Sequence, residues 1–177
     1  MIARSSLWIG ILASVAPLAF LVGGARAEKM SEEVSLECRE FGTGFYTILP
    51  QEQEGIPLLA YQEVESPEEI CQETTEKLNS IISNRGNWLL SDLLLRTGTV
   101  QSQDVICAVF RISIGCSSRN VVLNVPDGEV PADFLEGLLP ADIQVFSLGD
   151  PNQHTRRRTY AQFGRGIQRK LKTLPEK

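Results

Sequence analysis

Residues 105–116 read Val105-Ile-Cys-Ala-Val-Phe-Arg-Ile-Ser-Ile-Gly-Cys116, an alternating run with a cysteine near each end. Alternation places Ile106, Ala108, Phe110, Ile112 and Ile114 on one face, and Cys107, Val109, Arg111 and Ser113 on the other. A period of two predicts a half-buried strand over Val105 to Ile114. The two sulfurs then pose a geometric question. A straight strand separates Cys107 from Cys116 by about 30 Å at roughly 3.3 Å per residue. Disulfide Cα atoms sit about 4.4–6.8 Å apart. The two cysteines can bond only if the chain bends near Phe110 to Ser113.

Outward from this stretch the same reading continues. Towards the N-terminus, Val34 to Glu40, Phe45 to Leu49 and Ile56 to Tyr61 read as strands, with Gly42 and Gly44 in the first turn and Gln51 to Gly55 as a loop. Residues 66–86 carry the clearest helix. Ser66 stands as N-cap, Pro67 at the first helical position, and Glu69 in the place that completes a capping box. Ile70, Cys71, Thr74, Leu78, Ile81 and Ile82 recur at helical spacing, and Asn84-Arg85-Gly86 supplies a basic last turn and a glycine stop. Trp88 to Leu95 reads as strand and residues 96–104 as turn. Asn120 to Val125 is a further strand before Pro126-Asp127-Gly128, and Pro131 to Leu139 a short helix. The expected fold class is α+β: a mainly antiparallel sheet with one long helix packed on a face, stapled by two disulfides.

The first 27 residues stand apart. A short positive stretch at Arg4 precedes an apolar run from Leu7 to Val22, and Ala25-Arg26-Ala27 closes it with small residues at both ends. That is the build of a secretory signal peptide. The run is shorter than the about 20 residues a spanning helix needs, and Pro17 interrupts it. Three segments are therefore expected: a signal peptide at 1–27, a disulfide-stapled domain at 28–150 and a basic C-terminal tail at 151–177. The charge divides in the same place. Residues 28–150 hold 7 basic and 21 acidic residues, net −14, whereas residues 151–177 hold 8 basic and 1 acidic, net +7. Such a split points to a tail with a job of its own or one that folds back on the body.

All 4 cysteines, Cys38, Cys71, Cys107 and Cys116, follow the leader. An even number in an exported chain favours disulfides over free thiols. Structural zinc favours close Cys-x-x-Cys pairs, which are absent, and residues 28–150 contain no histidine. Nearness in sequence suggests Cys107–Cys116, leaving Cys38 for Cys71. Cys38–Cys107 with Cys71–Cys116 is the rival if the strand stays straight.

Several pieces together resemble a known family. Ser35-Leu-Glu-Cys38 precedes the Gly55–Tyr61 segment. Cys71 lies early in the helix, and residues 87–109 (NWLLSDLLLRTGTVQSQDVICAV) lead to 115–125 (GCSSRNVVLNV). This ordered set is similar to the circadian oscillating polypeptide family of cyanobacteria, over roughly residues 34–140 and not the basic tail. The resemblance implies an exported or membrane-associated protein whose expression is linked to the circadian cycle. It carries over the four cysteines and no catalytic residue.

No enzyme motif accompanies these features. The 1 histidine, His154, sits in a polar stretch beside Arg156, Arg157 and Arg158, poorly placed for a nucleophile–histidine pair. Glu52, Glu54, Glu63, Glu65, Glu68 and Glu69 cluster where solubility and the helix dipole account for them. Residues 126–133 lack calcium-loop spacing. No cofactor, metal or small-molecule ligand is expected. In the tail, Tyr160, Phe163, Ile167, Leu171 and Leu174 recur at helical spacing among Arg165, Arg169, Lys170 and Lys172, with Arg156, Arg157 and Arg158 preceding them. A basic amphipathic segment fits an anionic membrane surface or an acidic protein partner. Nucleic acid fits the arginines but not an exported compartment. The expectation is a non-enzymatic extracytoplasmic domain, in the periplasm, thylakoid lumen or medium, peripheral to a membrane or part of an envelope complex. The alternative is a small carboxylate-dependent hydrolase of extracellular or cell-wall sugars, working through a carboxylate pair.

Overall fold

The first three strands form a small antiparallel sheet. In a computed structural model of the chain, β1 (Glu37–Phe41), β2 (Gly44–Leu49) and β3 (Ile56–Ala60) pair in the order β1-β2-β3. The structure describes residues 34–51, 55–62, 64–149 and 158–173. The leader at 1–27, His154, Arg156, Arg157 and Leu174 lie outside the described residues. All described residues fall within one unit, Glu32–Lys177.

Helix α1 (Pro67–Ser83) buries Cys71, Thr74, Leu78 and Ile82 of the expected stripe together with Thr75, while Ile70 and Ile81 are half-buried at its edges. Its N-terminus departs from the expected capping box. Ser66 takes a left-handed conformation (φ 54°) and makes no side-chain cap. Pro67, which has no N–H to satisfy, and the acidic Glu68 and Glu69 start the helix instead. At the other end the Arg85 guanidinium donates to the Ile82 carbonyl at 2.8 Å, as a cation at a helix C-terminus should.

A second antiparallel sheet holds the rest. A 3₁₀ turn (Leu90–Asp92) leads into β4 (Leu94–Val100), which forms a hairpin with β5 (Gln103–Val109); β6 (Val121–Asn124) follows. After α2 (Pro131–Leu138) come β7 (Val145–Leu148), β8 (Arg158–Ala161) and α3 (Phe163–Lys172). The strand order is β6-β5-β4-β8-β7. Among the described residues the fold is α+β with two antiparallel sheets rather than one, and with three helices, of which α1 is the longest and α2 the expected short one. Nor does α1 lie on one face of one sheet. Asn79 clasps both backbone groups of Leu36 at 2.8 Å, ahead of β1, while the Thr74 hydroxyl donates to Val122 of β6. The helix bridges the two sheets.

Two expectations in the middle of the chain change. Residues 96–104 are not a turn: the hairpin turn is only Gln101-Ser102, both left-handed at φ 52° and 66°. That geometry suits a two-residue loop between twisted strands. Without glycine or asparagine at these two positions, the sequence does not narrow the expected turn to them. The second change concerns Val105–Ile114. The strand stops at Val109, and the Ile114 N–H donates to Arg111 in a turn. Ile106 and Ala108 stay in the core, while Ile112 and Ile114 lie 46% and 39% exposed.

The bend is the one a short disulfide requires. Cys107 bonds Cys116 with Cα atoms 5.7 Å apart, and Cys38 bonds Cys71 at 5.6 Å.

Residues 158–173 are part of the domain, so the 150/151 boundary does not set them apart. β8 pairs with both β4 and β7. Tyr160, Phe163 and Ile167 are at most 1% exposed. Tyr160 is a strand residue, not a position on the helical stripe. At Gly164 a Cβ would lie 1.8 Å from the Leu90 carbonyl oxygen, so only glycine lets α3 approach the 3₁₀ turn so closely. Burial of α3's apolar side against the body is also why its two glycines do not prevent it from forming.

Candidate functional site

The five-stranded sheet has two unlike faces. One carries Leu95, Ile106, Ala108 and Ala161 into the core beneath the helices. The other carries Arg96, Cys107 and Tyr160, which are paired across the strands. This second face is covered by the loop from Phe110 to Cys116. The bond from Cys116 to Cys107 fastens one end, and Gly98 makes room for it: a Cβ there would sit 2.3 Å from the Cys116 Sγ. Arg96 donates to the Ile114 carbonyl and Tyr160 Oη to that of Ile112. The loop turns its backbone inward and its isoleucine side chains outward.

Arg96 is 4% exposed, and no carboxylate among the described residues partners it in an ion pair. Its cation rests on two carbonyls, of Ile114 and Thr97, and on the face of the Tyr160 ring, 5.1 Å from the centroid. Burial lowers its pKa from the ordinary value, though an arginine so placed keeps its proton. Phe146, the strand partner of Tyr160, stacks on its ring with centroids 5.4 Å apart. Sequence reasoning missed Arg96, because nothing in the alternation of β4 distinguishes an inward arginine from an outward one.

Above the loop, Trp88 stacks on Phe110 at 6.3 Å, and the Arg111 guanidinium sits 4.1 Å over the Trp88 ring. A depression of about 490 Å³ runs from Phe110, Arg111 and Ile112 past Phe146 to Gln162 and Arg165. A second, of about 370 Å³, continues from Gln162 and Arg165 to Arg169 and Lys172. The two share Ser91, Gln162 and Arg165, so the apolar loop and the outer side of α3 form one surface.

The tail residues divide sharply. Arg158, Arg165, Arg169 and Lys172 are exposed. Lys170 pairs with Asp142 at 3.2 Å, and Arg169 also donates to the Asp142 carbonyl. Tyr160, Phe163 and Ile167 are interior and Leu171 is half-buried, which corrects their expected role in membrane or partner contact. The four cysteines serve the fold, and none is free.

A larger groove lies elsewhere. It occupies about 830 Å³ between α1, β3 and α2, with Glu65, Glu69, Glu73, Glu129 and Asp133 around an apolar floor of Ile70, Val125, Phe134 and Leu138. Among the described residues no group of three or more histidine, cysteine or carboxylate side chains is arranged to hold a metal ion. The buried hydroxyls of Thr47, Tyr61 and Thr75 bond to one another, and burial pushes Tyr61 up to about 12.

The family profile described as Circadian oscillating protein COP23 matches residues 36–168. The chain belongs to this family. The match spans both sheets, all four cysteines, β8 and the first part of α3, further than the 34–140 over which the resemblance is visible by eye. In this COP23-family chain the C-terminal strand is thus a component of the family domain. No curated protein and no solved structure matches. Two disulfides suit an oxidising, extracytoplasmic compartment, and no helix among the described residues is long and apolar enough to cross a membrane.

Proposed function

We propose that this COP23-family protein is a non-enzymatic extracytoplasmic domain that docks on an anionic surface, at a membrane periphery or within an envelope complex. The observation that carries the reading is the outer side of α3. Its apolar residues face the core, and what remains outward is Arg165, Arg169 and Lys172 around a depression with no carboxylate among its described lining residues. The cations that the described domain displays so closely together are set apart from the acidic groove of α1 and α2. A chain with more acidic than basic residues approaches an anionic surface productively only with such a face turned towards it.

Removing the whole tail would not test this, because it removes β8 and α3 from the fold. Charge reversal at exposed positions does. Arg165→Glu with Lys172→Glu should move the protein from the membrane or complex fraction of the envelope into the soluble fraction, with unchanged denaturation. An unchanged distribution refutes docking through α3.

A further inference from the structure

We propose that the surface is a membrane-insertion face: Trp88, Leu89, Ile112 and Ile114 enter the interfacial layer of an anionic bilayer while Arg111, Arg165 and Lys172 meet its headgroups. The inference rests on the docking reading above and names its partner.

Three observations carry it. Leu89, Ile112 and Ile114 are 59%, 46% and 39% exposed, and Leu89 follows Trp88, whose ring packs on Phe110 and Arg111 of the loop that carries the two isoleucines. The loop is fixed by the Cys107–Cys116 bond, by Arg96 and by Tyr160, so its isoleucines are presented, not stray. Exposed aliphatics gathered on a rigid support mark an interaction site. Next, the Trp88 ring contacts both Phe110 and the Arg111 guanidinium. An amphipathic indole beside a cation is the pairing that settles at headgroup depth, with the arginine reaching towards phosphate. Last, the depression beside this loop shares Gln162 and Arg165 with the basic side of α3, so charge and apolar tips adjoin; Asp92 is the one carboxylate among its described lining residues, against Arg111 and Arg165 there and Arg169 and Lys172 beyond.

The order of the groups selects lipid over an acidic protein. An acidic protein surface would satisfy the cations and leave the isoleucines against carboxylates. An anionic bilayer satisfies both, with phosphates around the rim and hydrocarbon beyond them.

The chain's 2 tryptophans are Trp8 and Trp88. The full chain, expressed with its own leader, purified as exported and carrying Trp8→Phe, therefore reports on Trp88 alone. Vesicles of phosphatidylglycerol with phosphatidylcholine should bind it, blue-shift Trp88 and allow brominated acyl chains to quench it; phosphatidylcholine alone should not. Ile112→Ser with Ile114→Ser should weaken partitioning about tenfold and abolish quenching, with denaturation unchanged. Arg165→Glu with Lys172→Glu should also weaken it about tenfold, more at low salt than at high. If charge reversal releases the protein while the serine variant binds as before with Trp88 unquenched, docking stands and insertion is overturned. If the unsubstituted protein ignores anionic vesicles yet charge reversal still frees it from the envelope, the partner is a protein and this inference falls.

Discussion

The two disulfides of this COP23-family domain do different work. Cys38–Cys71 spans 33 residues and joins the small sheet to α1, with Cys71 fully buried. Beside it lies a sealed hydroxyl network in which Thr47, the strand partner of Cys38, bonds Tyr61 and Thr75 at 2.9 and 2.8 Å. Cys107–Cys116 spans 9 residues and fastens a surface loop to the outer face of the large sheet. Around it the polar groups are a guanidinium, a phenol and two carbonyls of an exposed loop. One bridge belongs to the core. The other holds a tool on the outside of the core.

Separating the bridges is the strongest way to break this contrast. Loop-closure entropy alone gives roughly 3.5–4 kcal/mol for the longer bridge and roughly 2.5 for the shorter. Cys38→Ala with Cys71→Ala should lower unfolding free energy by about 4 kcal/mol in chemical denaturation and raise hydrogen exchange throughout. Cys107→Ala with Cys116→Ala should cost less, and its fast exchange should stay within residues 110–116. Global exchange in the second variant would contradict the division.

Next in size is the alkaline response of the hydroxyl network. Tyr61 is fully buried, and desolvation raises it from 10.0 to about 12. The raised folded value means the unfolded chain releases the phenol proton first. Stability from this group is therefore complete below about pH 10 and is lost as pH rises through about 12. Two units correspond to roughly 3 kcal/mol. Unfolding free energies of the parent and Tyr61→Phe, compared from pH 8 to 12, should converge by about that amount. Parallel curves would show that the phenol is not sealed.

What the sequence discloses follows the same division. Around the first bridge most was legible: α1's buried stripe, the three strands and Cys71 on the inward side all come from local periodicity and turn residues. Around the second bridge it was not. The Gln101-Ser102 turn lacks the glycine or asparagine that would fix its position within the expected 96–104 turn, and β7 and β8 are four-residue strands, the second of which pairs with β4, far away in sequence. Tyr160, Phe163, Ile167 and Leu171 read as one helical stripe because a strand and a helix follow each other with a single residue, Gln162, between them. The exposed isoleucines extend the alternation of β5 past its true end, so periodicity alone reads strand where the Cys107–Cys116 bond requires a bend. The candidate surface was half visible: its cations are in the sequence, but its apolar partners come from two other segments.

Tyr160→Phe gives the smallest effect and the finest test. The ring is 1% exposed, stacks on Phe146 and receives the Arg96 cation, all of which phenylalanine preserves. The variant loses only the hydroxyl's 3.4 Å bond to the Ile112 carbonyl. Because Ile112 is exposed, water can take the vacated place, and the cost should be about 1 kcal/mol or less in denaturation. The local consequence is larger than the global one. With one of its ties gone, the loop should exchange the Ile114 amide several-fold faster, while Leu36 and the residues around Cys38–Cys71 stay unchanged. A loss above about 2 kcal/mol would mean that the loop is an integral part of the core, and that the isoleucines face outward without being held there for contact.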